Sequence, residues 1–230
     1  MTDATKELKR SLNKQRQEVI RLFAMKLHPT ATSILDEGIK VIVSGGGGAL
    51  TMRAVAKKAN IKLASLQYHF KTFDHLISTL FTREFGFIAD ILWNTLEAVD
   101  ANMEAPAEAL RTAAETFMPP EGSANQEHRI YFHLLAFCSY DSDAFNKAKS
   151  FYKYYNTLMG YLISKVNPSL SAEECLARAT LITSTLEGTG LYTILRAGGP
   201  TAEHVVHREI GNLAVHYAAL PAMPKGSSVS

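Results

Sequence analysis

The sequence predicts an all-α fold, and three observations support this prediction. Apolar residues recur every three or four positions along most of the chain, which is the spacing of one face of an α-helix rather than of a strand. Clusters of glycine, proline and asparagine, such as residues 45–48, 119–122 and 198–200, divide the chain into segments of helical length. Several of these segments also begin or end with residues that cap helices.

The composition is that of an ordinary globular protein of 230 residues, 47% of them hydrophobic and 20% charged. This is enough apolar material for one large domain or two. The first residues lack the apolar run of a secretion signal, and no stretch approaches the roughly 18 uncharged apolar residues of a membrane span. Cys138 and Cys175 form no C-x-x-C pair, so we expect neither a disulfide framework nor a zinc finger. A cytoplasmic protein is predicted.

Charge is distributed unevenly along the chain. The formal net charge is +2, but residues 1–80 contain 13 Lys and Arg against 6 Asp and Glu, and the remainder contains 11 against 16. A basic first third beside an acidic remainder is typical of a protein that contacts nucleic acid or another polyanion. The alternative is a set of scattered, solvated lysines.

Residues 1–28 are predicted to form a basic, amphipathic N-terminal extension. Leu8, Leu12, Val19 and Phe23 share one helical face. Its basic residues are suited to following DNA phosphates: Lys6, Lys9, Arg10, Lys14, Arg16, Arg21 and Lys26. The alternative is a helix that is solvated or packs against the chain itself.

Residues 29–76 follow as a domain of three short helices. The β-branched run at residues 39–43 is compatible with a strand, but its position after Ile34 and Leu35 favours helix. Residues 45–48 are all glycine, yet no Lys-Ser or Lys-Thr follows them as a phosphate-binding P-loop requires. We therefore expect a flexible connector there.

Residues 50–70 carry most of the information about function. Two helices of fewer than ten residues flank a tight turn, with Thr51 suited to cap the first and Asn60 tolerant of the left-handed conformation. Leu66 and Phe70, four residues apart, are expected to anchor the second helix in the core. The remaining positions face outward: Lys62, Leu63, Ser65, Gln67, Tyr68, His69 and Lys71. This is a helix-turn-helix, whose second helix enters the DNA major groove.

Residues 33–76 resemble the DNA-binding domain of the tetracycline-repressor (TetR) family of bacterial transcriptional regulators. The most specific part of the resemblance is the run Tyr68-His69-Phe70-Lys71. Four residues depart from the family pattern. Asn60 stands where the family usually has glycine, Lys62 where it has a small polar residue, Gln67 where an aromatic residue is frequent, and Phe73 where lysine is usual. The other matching residues are Ile34, Leu35, Gly38, Thr51, Val55, Ala56, Leu66, Thr72 and Leu76.

The resemblance implies a DNA-binding site on this domain. The expected phosphate contacts have hydroxyl, imidazole or ammonium donors: Thr51, Tyr68, His69 and Lys71. The expected contacts with base edges are Arg53, Lys62, Leu63, Ala64, Ser65 and Gln67. Arg53 is the strongest of these because a guanidinium pairs bidentately with guanine. Met52, next to Arg53, is also expected to belong to the DNA-binding site. For Tyr68 and His69 the alternative is that they only complete the packing of the helices.

Residues 77–220 are predicted to form a larger helical domain, followed by a flexible tail at 221–230. A long helix starts near Thr72 and carries the stripe Phe81, Phe85, Ile88, Leu92 and Leu96. A second long helix covers residues 143–166. Ser171 and Glu174 have the spacing of a capping box, and the helix that they open is expected to run to Arg196. A last helix begins near Thr201.

The resemblance implies that this second domain surrounds a small-molecule ligand, which the aromatic content suggests is apolar or aromatic. The candidate ligand-binding residues are Trp93, Phe117, Tyr131, Phe132, His133, Phe137, Tyr152, Tyr155, Met159 and Glu187. For any single one of them the core is the favoured place, and we expect about three of the ten to line a pocket.

A homodimer with twofold symmetry is also predicted. In the family, the last two helices of each chain form a four-helix interface. The candidate interface residues are Ala177, Ser184, Gly188, Val206, Ile210, Leu213 and Tyr217. A dimer would place two recognition helices about 34 to 36 Å apart, as a palindromic operator in double-stranded DNA requires.

Neither catalysis nor a cofactor has support in the sequence, so we predict that the chain is not an enzyme. The histidine pairs 128/133 and 204/207 lack the cysteines or carboxylates that would complete a metal site. The function expected from the resemblance is a cytoplasmic, nucleoid-associated transcriptional repressor, released from its operator by a ligand. Two alternatives stay open. One is a DNA-bound accessory protein that recruits a protein partner without sensing a ligand. The other is an all-helical ligand carrier or enzyme.

Overall fold

The computed structural model describes residues 1–101, 105–116, 124–195 and 200–222. Over these residues the chain forms α-helices and one 3₁₀ turn, Gly47–Ala49, with no strand, which confirms the all-α prediction. The helices are α1 (Asp3–Phe23), α2 (Pro29–Gly45), α3 (Met52–Lys58), α4 (Leu63–His69), α5 (Phe73–Ala101), α6 (Pro106–Thr116), α7 (Ala124–Phe137), α8 (Ser142–Val166), α9 (Ala172–Leu195) and α10 (Pro200–Ala219).

The predicted start signals of the helices are present as hydrogen bonds. In the capping box of α9, Ser171 Oγ accepts from the backbone N–H of Glu174 at 3.2 Å, and the Glu174 carboxylate accepts from the N–H of Ser171 at 2.8 Å. Residues 39–43 lie within α2, so the ambiguous run is helix. Arg196, the predicted end of α9, lies outside the described residues.

The chain divides into two compact units. The first, which we call the C-terminal unit, comprises Met1–Gln17, Asp90–Met118 and Tyr152–Ser230. The second, which we call the HTH unit, comprises Glu18–Ala89 and Pro119–Phe151 and holds α3 and α4. Because both units are assembled from segments far apart in sequence, neither is a continuous stretch of chain. The boundaries that we predict after residues 28, 76 and 220 divide the chain by expected function rather than by packing, and they stay predictions.

The HTH unit contains an aromatic core. The rings of Phe81 and Phe85 stack with centroids 4.3 Å apart, and Phe85 also stacks on Tyr131 at 5.3 Å. Phe151 meets the edge of Phe85 at 5.1 Å. Such ring pairs contribute stability beyond the burial of the rings, so this cluster joins α5, α7 and α8 within the unit.

The N-terminal extension is a helix whose apolar face is buried. Leu8, Leu12, Val19 and Phe23 are all core residues. Of its basic residues, Arg16 forms an ion pair with Asp90, and Lys9 lies over the ring of Tyr161. The structure therefore favours the alternative in which this helix packs against its own chain. Arg10, Lys14, Arg21 and Lys26 remain exposed.

In the C-terminal unit, a buried arginine holds the end of α10. Arg178 of α9 is only 7% exposed, and its guanidinium donates to the carbonyl oxygens of residues 217, 218, 220 and 221 at 2.6 to 3.0 Å. Asn167 donates to two of the same carbonyl groups. The last carbonyl groups of a helix have no partner within it, so these side chains provide the missing donors.

His133 of α7 packs directly against the glycine connector that precedes α3. A methyl group added to Gly47 would lie 1.8 Å from His133 Nδ1, so a larger residue at position 47 would displace the imidazole. The Nε2 atom of His133 is buried and has no hydrogen-bond partner among the described residues. Burial lowers the pKa of His133 below its ordinary value of 6.5.

We expect this histidine to make stability depend on pH. The folded chain binds fewer protons than the unfolded chain once the pH falls below 6.5, so the free energy of unfolding decreases there. The limit for one group is about 1.4 kcal/mol per pH unit, and a part-exposed ring contributes only a fraction of it. Urea unfolding of the wild type and His133→Asn at about pH 7.5 and about pH 5.5 measures the effect. Equal losses in both proteins would contradict the prediction.

Candidate nucleic-acid interface

The turn between α3 and α4 is built by local hydrogen bonds. Thr51 Oγ1 accepts from the N–H of Ala54 at 3.1 Å and caps α3, as predicted. At the other end of α3, the N–H of Ile61 donates to the carbonyl of Ala56 at 3.0 Å. Asn60 has φ = 54°, the left-handed conformation expected for the turn. The chain therefore reverses within the three residues that precede Lys62.

Four apolar side chains fix the two helices to the rest of the HTH unit. Val55 and Ala56 of α3, and Leu66 and Phe70 at the end of α4, are buried. A methyl group on Gly38 of α2 would lie within 4 Å of Leu80, Leu50 and Val55, so α2 passes close to this core. The predicted anchors Leu66 and Phe70 are confirmed, and Phe73 at the start of α5 is only partly buried.

None of the eleven predicted DNA-binding residues is buried. Tyr68 is 83% exposed, an unusual position for a tyrosine with no hydrogen-bond partner among the described residues. The side chains that are clearly exposed with it are Thr51, Arg53, Lys62, Ala64, Ser65, Gln67 and Lys71; Met52, Leu63 and His69 are partly exposed. The structure thus brings all eleven onto α3, α4 and their flanking residues.

The electrostatics of this surface are one-sided. Residues 38–73 contain six Lys and Arg and no Asp or Glu. Lys40 is paired with Glu37 at 2.6 Å, and this carboxylate raises the pKa of Lys40. The other five form no ion pair with any residue of the described chain: Arg53, Lys57, Lys58, Lys62 and Lys71. The interface is therefore positively charged and free to meet an anion.

Three residues of this interface were not among the predicted site residues. Lys57 and Lys58 are exposed on α3, and the long acid-free run in the sequence was the signal that could have found them. His28 caps α2, because its Nδ1 accepts from the N–H of Thr30 at 3.2 Å. The proline that follows His28, at the first position of α2, was the available signal for that cap.

His28 also joins the end of α4 to the beginning of α2. Its ring stacks on His69 with centroids 6.1 Å apart, and Tyr68 meets His69 edge-on at 5.2 Å. The N-terminus of a helix attracts anions through its free N–H groups and its dipole. These three rings consequently lie beside a surface that is suited to a phosphate group.

The predicted ligand-binding residues fall into both units. The C-terminal unit holds Trp93, Tyr152, Tyr155, Met159 and Glu187, and there the Tyr152 hydroxyl donates to the Glu187 carboxylate at 3.2 Å. Tyr155 and Met159 are fully buried. The HTH unit holds Tyr131, Phe132, His133 and Phe137, of which Tyr131 and Phe137 are core residues. Phe117 lies outside the described residues.

The predicted interface residues lie on helices with exposed apolar faces. On α9, Ala177, Ser184 and Gly188 are exposed on the same face as Leu181, which is 54% exposed, and Leu191. On α10, Val206 and Leu213 are exposed, Leu213 by 45%. Ile210, by contrast, is buried within the chain, so it is not free to contact a second subunit.

Neither a metal site nor a membrane span emerges from the described residues. They contain no group of three His, Cys, Asp or Glu placed to hold a metal ion. No helix within the described ranges is long and apolar enough to cross a membrane. The side chains of His128, His204 and His207 lie outside the described part of the chain.

We expect the turn at Asn60 to be a measurable point of local strain. Asn60→Gly should leave the free energy of unfolding unchanged or raise it, because glycine adopts a positive φ freely. Asn60→Ala should lower it by about 1 kcal/mol, since alanine lacks asparagine's tolerance for this conformation. Thermal unfolding of the two variants makes a matched comparison. An alanine variant as stable as the glycine variant would contradict the prediction.

Comparison with known proteins gives consistent similarities across most of the chain. No family model matches the sequence. The chain is 24% identical over 192 residues to an uncharacterised HTH-type transcriptional regulator in the dhlA 5' region of Xanthobacter autotrophicus, covering 83% of this chain and 91% of the other. It superposes on a TetR transcriptional regulator from Legionella pneumophila with a TM-score of 0.61, 21% identity, and coverage of 82% and 99%. For a TetR-like transcriptional regulator from Rhodococcus sp. RHA1 the TM-score is 0.60, with 18% identity and coverage of 85% and 96%.

Proposed function

The chain has the fold of TetR-like transcriptional regulators, and from this premise we propose that it is a sequence-specific DNA-binding regulator. The observation that carries the proposal is the exposed surface of α3 and α4, whose sequence contains no acidic residue and whose five cations are paired with no carboxylate of the described residues. A surface of this kind supplies the counterion release that drives DNA binding. The exposed ring of Tyr68 does not contribute to the packing of α3 against α4, so packing alone does not explain a tyrosine at this position.

Each group at the interface has a role that its chemistry supports. Thr51, Tyr68, His69 and Lys71 donate to phosphate oxygens and fix the register of the protein on the duplex. Arg53 pairs with guanine, and α4 enters the major groove with its N-terminal residues first. The base-edge residues of that helix and its N-cap are Lys62, Leu63, Ala64, Ser65 and Gln67.

The proposal includes a homodimer that a small molecule controls. The exposed apolar faces of α9 and α10 are suited to a twofold interface, and a dimer would read both halves of a palindrome. In the proposed mechanism, a ligand stabilises a dimer whose recognition helices have the wrong separation, so that DNA and ligand binding are reciprocally coupled. The protein would act as a repressor at the nucleoid. The buried aromatic residues and the Tyr152–Glu187 pair support an apolar ligand with a polar group.

The test of DNA recognition is selection from a pool of random duplex DNA by the purified protein at physiological salt. We expect enrichment of a palindrome whose half-sites lie about one helical turn or a multiple of it apart. Binding that is weak, strongly salt-dependent and without an enriched sequence would overturn the proposal, because phosphate contacts alone behave in that way.

The dimer makes a separate prediction. Leu181→Glu and Leu213→Glu should each produce a monomer, because a carboxylate would be buried unpaired at the interface. Analytical ultracentrifugation measures the oligomeric state. The matched control is Phe145→Glu, which introduces the same charge at an exposed aromatic residue of α8. A dimer that persists in both leucine variants would place the interface elsewhere.

A further inference from the structure

The N-terminal helix and α8 carry three buried polar atoms without a hydrogen-bond partner among the described residues. They are Gln15 Oε1, Arg16 Nε and the hydroxyl oxygen of Tyr154. All three belong to the C-terminal unit. More than about nine in ten buried polar groups in proteins are hydrogen-bonded, so three such atoms in one unit require an explanation.

Arg16 is held in place by groups that leave its Nε–H unused. Its Nη2 atom donates to Asp90 Oδ1 at 2.8 Å, and its guanidinium lies 5.2 Å from the centre of the Trp93 ring. The side chain is 12% exposed. An ion pair and a cation–π contact thus orient the guanidinium, while its buried Nε–H donor has no acceptor among the described residues.

Tyr154 supplies a second donor in the same region. The residue is fully buried, and burial raises the pKa of Tyr154 well above its usual value, partly offset by the charge of Arg16. The hydroxyl therefore stays protonated and lies within the electrostatic influence of the guanidinium. Arg16 on α1 and Tyr154 on α8 thus each carry a buried donor, an N–H and an O–H, that has no acceptor among the described residues.

The local charges decide which acceptor fits. Asp90 and Glu97 also act on the Tyr154 hydroxyl, so two carboxylates oppose the single charge of Arg16. A carboxylate ligand would add a third negative charge to this region, and like charges disfavour one another at short range. An uncharged carbonyl oxygen accepts the same two hydrogen bonds without that repulsion.

We propose that α1, α5 and α8 form a subsite for an uncharged carbonyl compound, such as an ester, ketone or amide, with an apolar body. Arg16 Nε–H and the Tyr154 hydroxyl donate to its carbonyl oxygen, and Trp93 lies beside it. Gln15 Oε1 is the acceptor for an amide N–H. This inference rests on the proposed function, because it names the chemical class of the regulating ligand and adds the N-terminal helix to its site.

Trp93 is the only tryptophan of the chain, so its fluorescence reports directly on this region. The probes are methyl octanoate, octanamide, octanoate and octylammonium. They share an apolar chain and differ in the polar group. We expect a saturable change in Trp93 emission with the ester and the amide. Octanoate should bind at least about tenfold more weakly because of its negative charge. Octylammonium should also bind at least about tenfold more weakly, because an ammonium group offers no acceptor to the two donors.

Two conservative variants test the proposed donors. Tyr154→Phe should weaken ester binding about fivefold, and Arg16→Lys, which keeps the charge but lacks the Nε–H, about tenfold. Tyr161→Phe removes a hydroxyl from another buried tyrosine of α8 and should change nothing. Deleting an unused buried hydroxyl should not destabilise the fold, so Tyr154→Phe remains informative if Arg16→Lys fails to fold.

Several outcomes would overturn the proposal: no saturable response to any neutral probe, tighter binding of octanoate than of its ester, or equal ester affinity in Tyr154→Phe and the wild type. The fluorescence titration needs no DNA and therefore does not depend on operator binding. If Trp93 responds as expected while affinity for the selected DNA stays constant, the subsite stands and ligand-controlled regulation fails. If DNA is released without a Trp93 response, the ligand binds elsewhere and the subsite is wrong.

Discussion

Replacing Arg53 with alanine is expected to lower affinity for the selected DNA by roughly 10- to 100-fold, which is the range for the loss of one bidentate guanine contact. Arg53 lies in the first turn of α3, is exposed, and has no acidic partner among the described residues. Its guanidinium is therefore available to DNA without breaking an internal contact. The preference for one base pair should be lost together with the affinity.

Two comparisons separate base reading from charge. Lys149→Ala removes the same charge from an exposed position of α8 and should change affinity only slightly. Lys71→Ala should weaken binding to all sequences alike and reduce the salt dependence by about one phosphate contact. Fluorescence anisotropy with the selected duplex and its single-base variants measures both effects. Arg53 would have no part in base recognition if Arg53→Ala behaved like Lys149→Ala.

Replacing Arg178 with alanine is expected to lower the free energy of unfolding by about 3 kcal/mol, because hydrogen bonds from a buried charged group are among the strongest in proteins. Four carbonyl groups at and just after the end of α10 would lose the guanidinium at once, and Asn167 would still donate to only two of them. For a chain of this size the melting temperature should fall by roughly 6 to 12 °C. Circular dichroism during heating measures it.

Arg178→Lys and Arg10→Ala are the controls for this effect. Lysine keeps the positive charge but cannot reach several carbonyl groups with a planar fork, so we expect an intermediate loss. Arg10 is exposed on α1 without an ion pair among the described residues, and its replacement should leave stability nearly unchanged. If Arg178→Ala melted within about 1 °C of wild type, the guanidinium contacts would contribute little net stability.

The helix-turn-helix could be predicted because its determinants are local. The cap at Thr51, the positive φ at Asn60 and the anchors Leu66 and Phe70 each depend on residues within a few positions of one another. The capping box at Ser171 is local in the same sense. Residue type and spacing therefore contained nearly all that was needed for these elements.

The distant contacts could not be predicted in this way. Nothing near Trp93 or Arg16 in sequence indicates that they meet, since 77 positions separate them and the fold alone brings them together. The family resemblance grouped His133 with Glu187 as candidate ligand residues, and nothing in the sequence indicated that they belong to different compact units. For α10, periodicity placed Ile210 and Leu213 on one face, but only the packed structure shows that the first is buried and the second is exposed.

The acceptors of Arg178 are all backbone carbonyl groups, and this makes tolerance to mutation unequal along the chain. Every amino acid, proline included, carries a carbonyl group, so side chains at residues 217–221 can change without removing a single acceptor. Position 178 has no such freedom, because only arginine provides a long planar fork of donors. A library that varies residues 217–221 together with position 178 should therefore yield stable proteins with many different sequences at residues 217–221. Almost all of these stable proteins should have arginine at position 178.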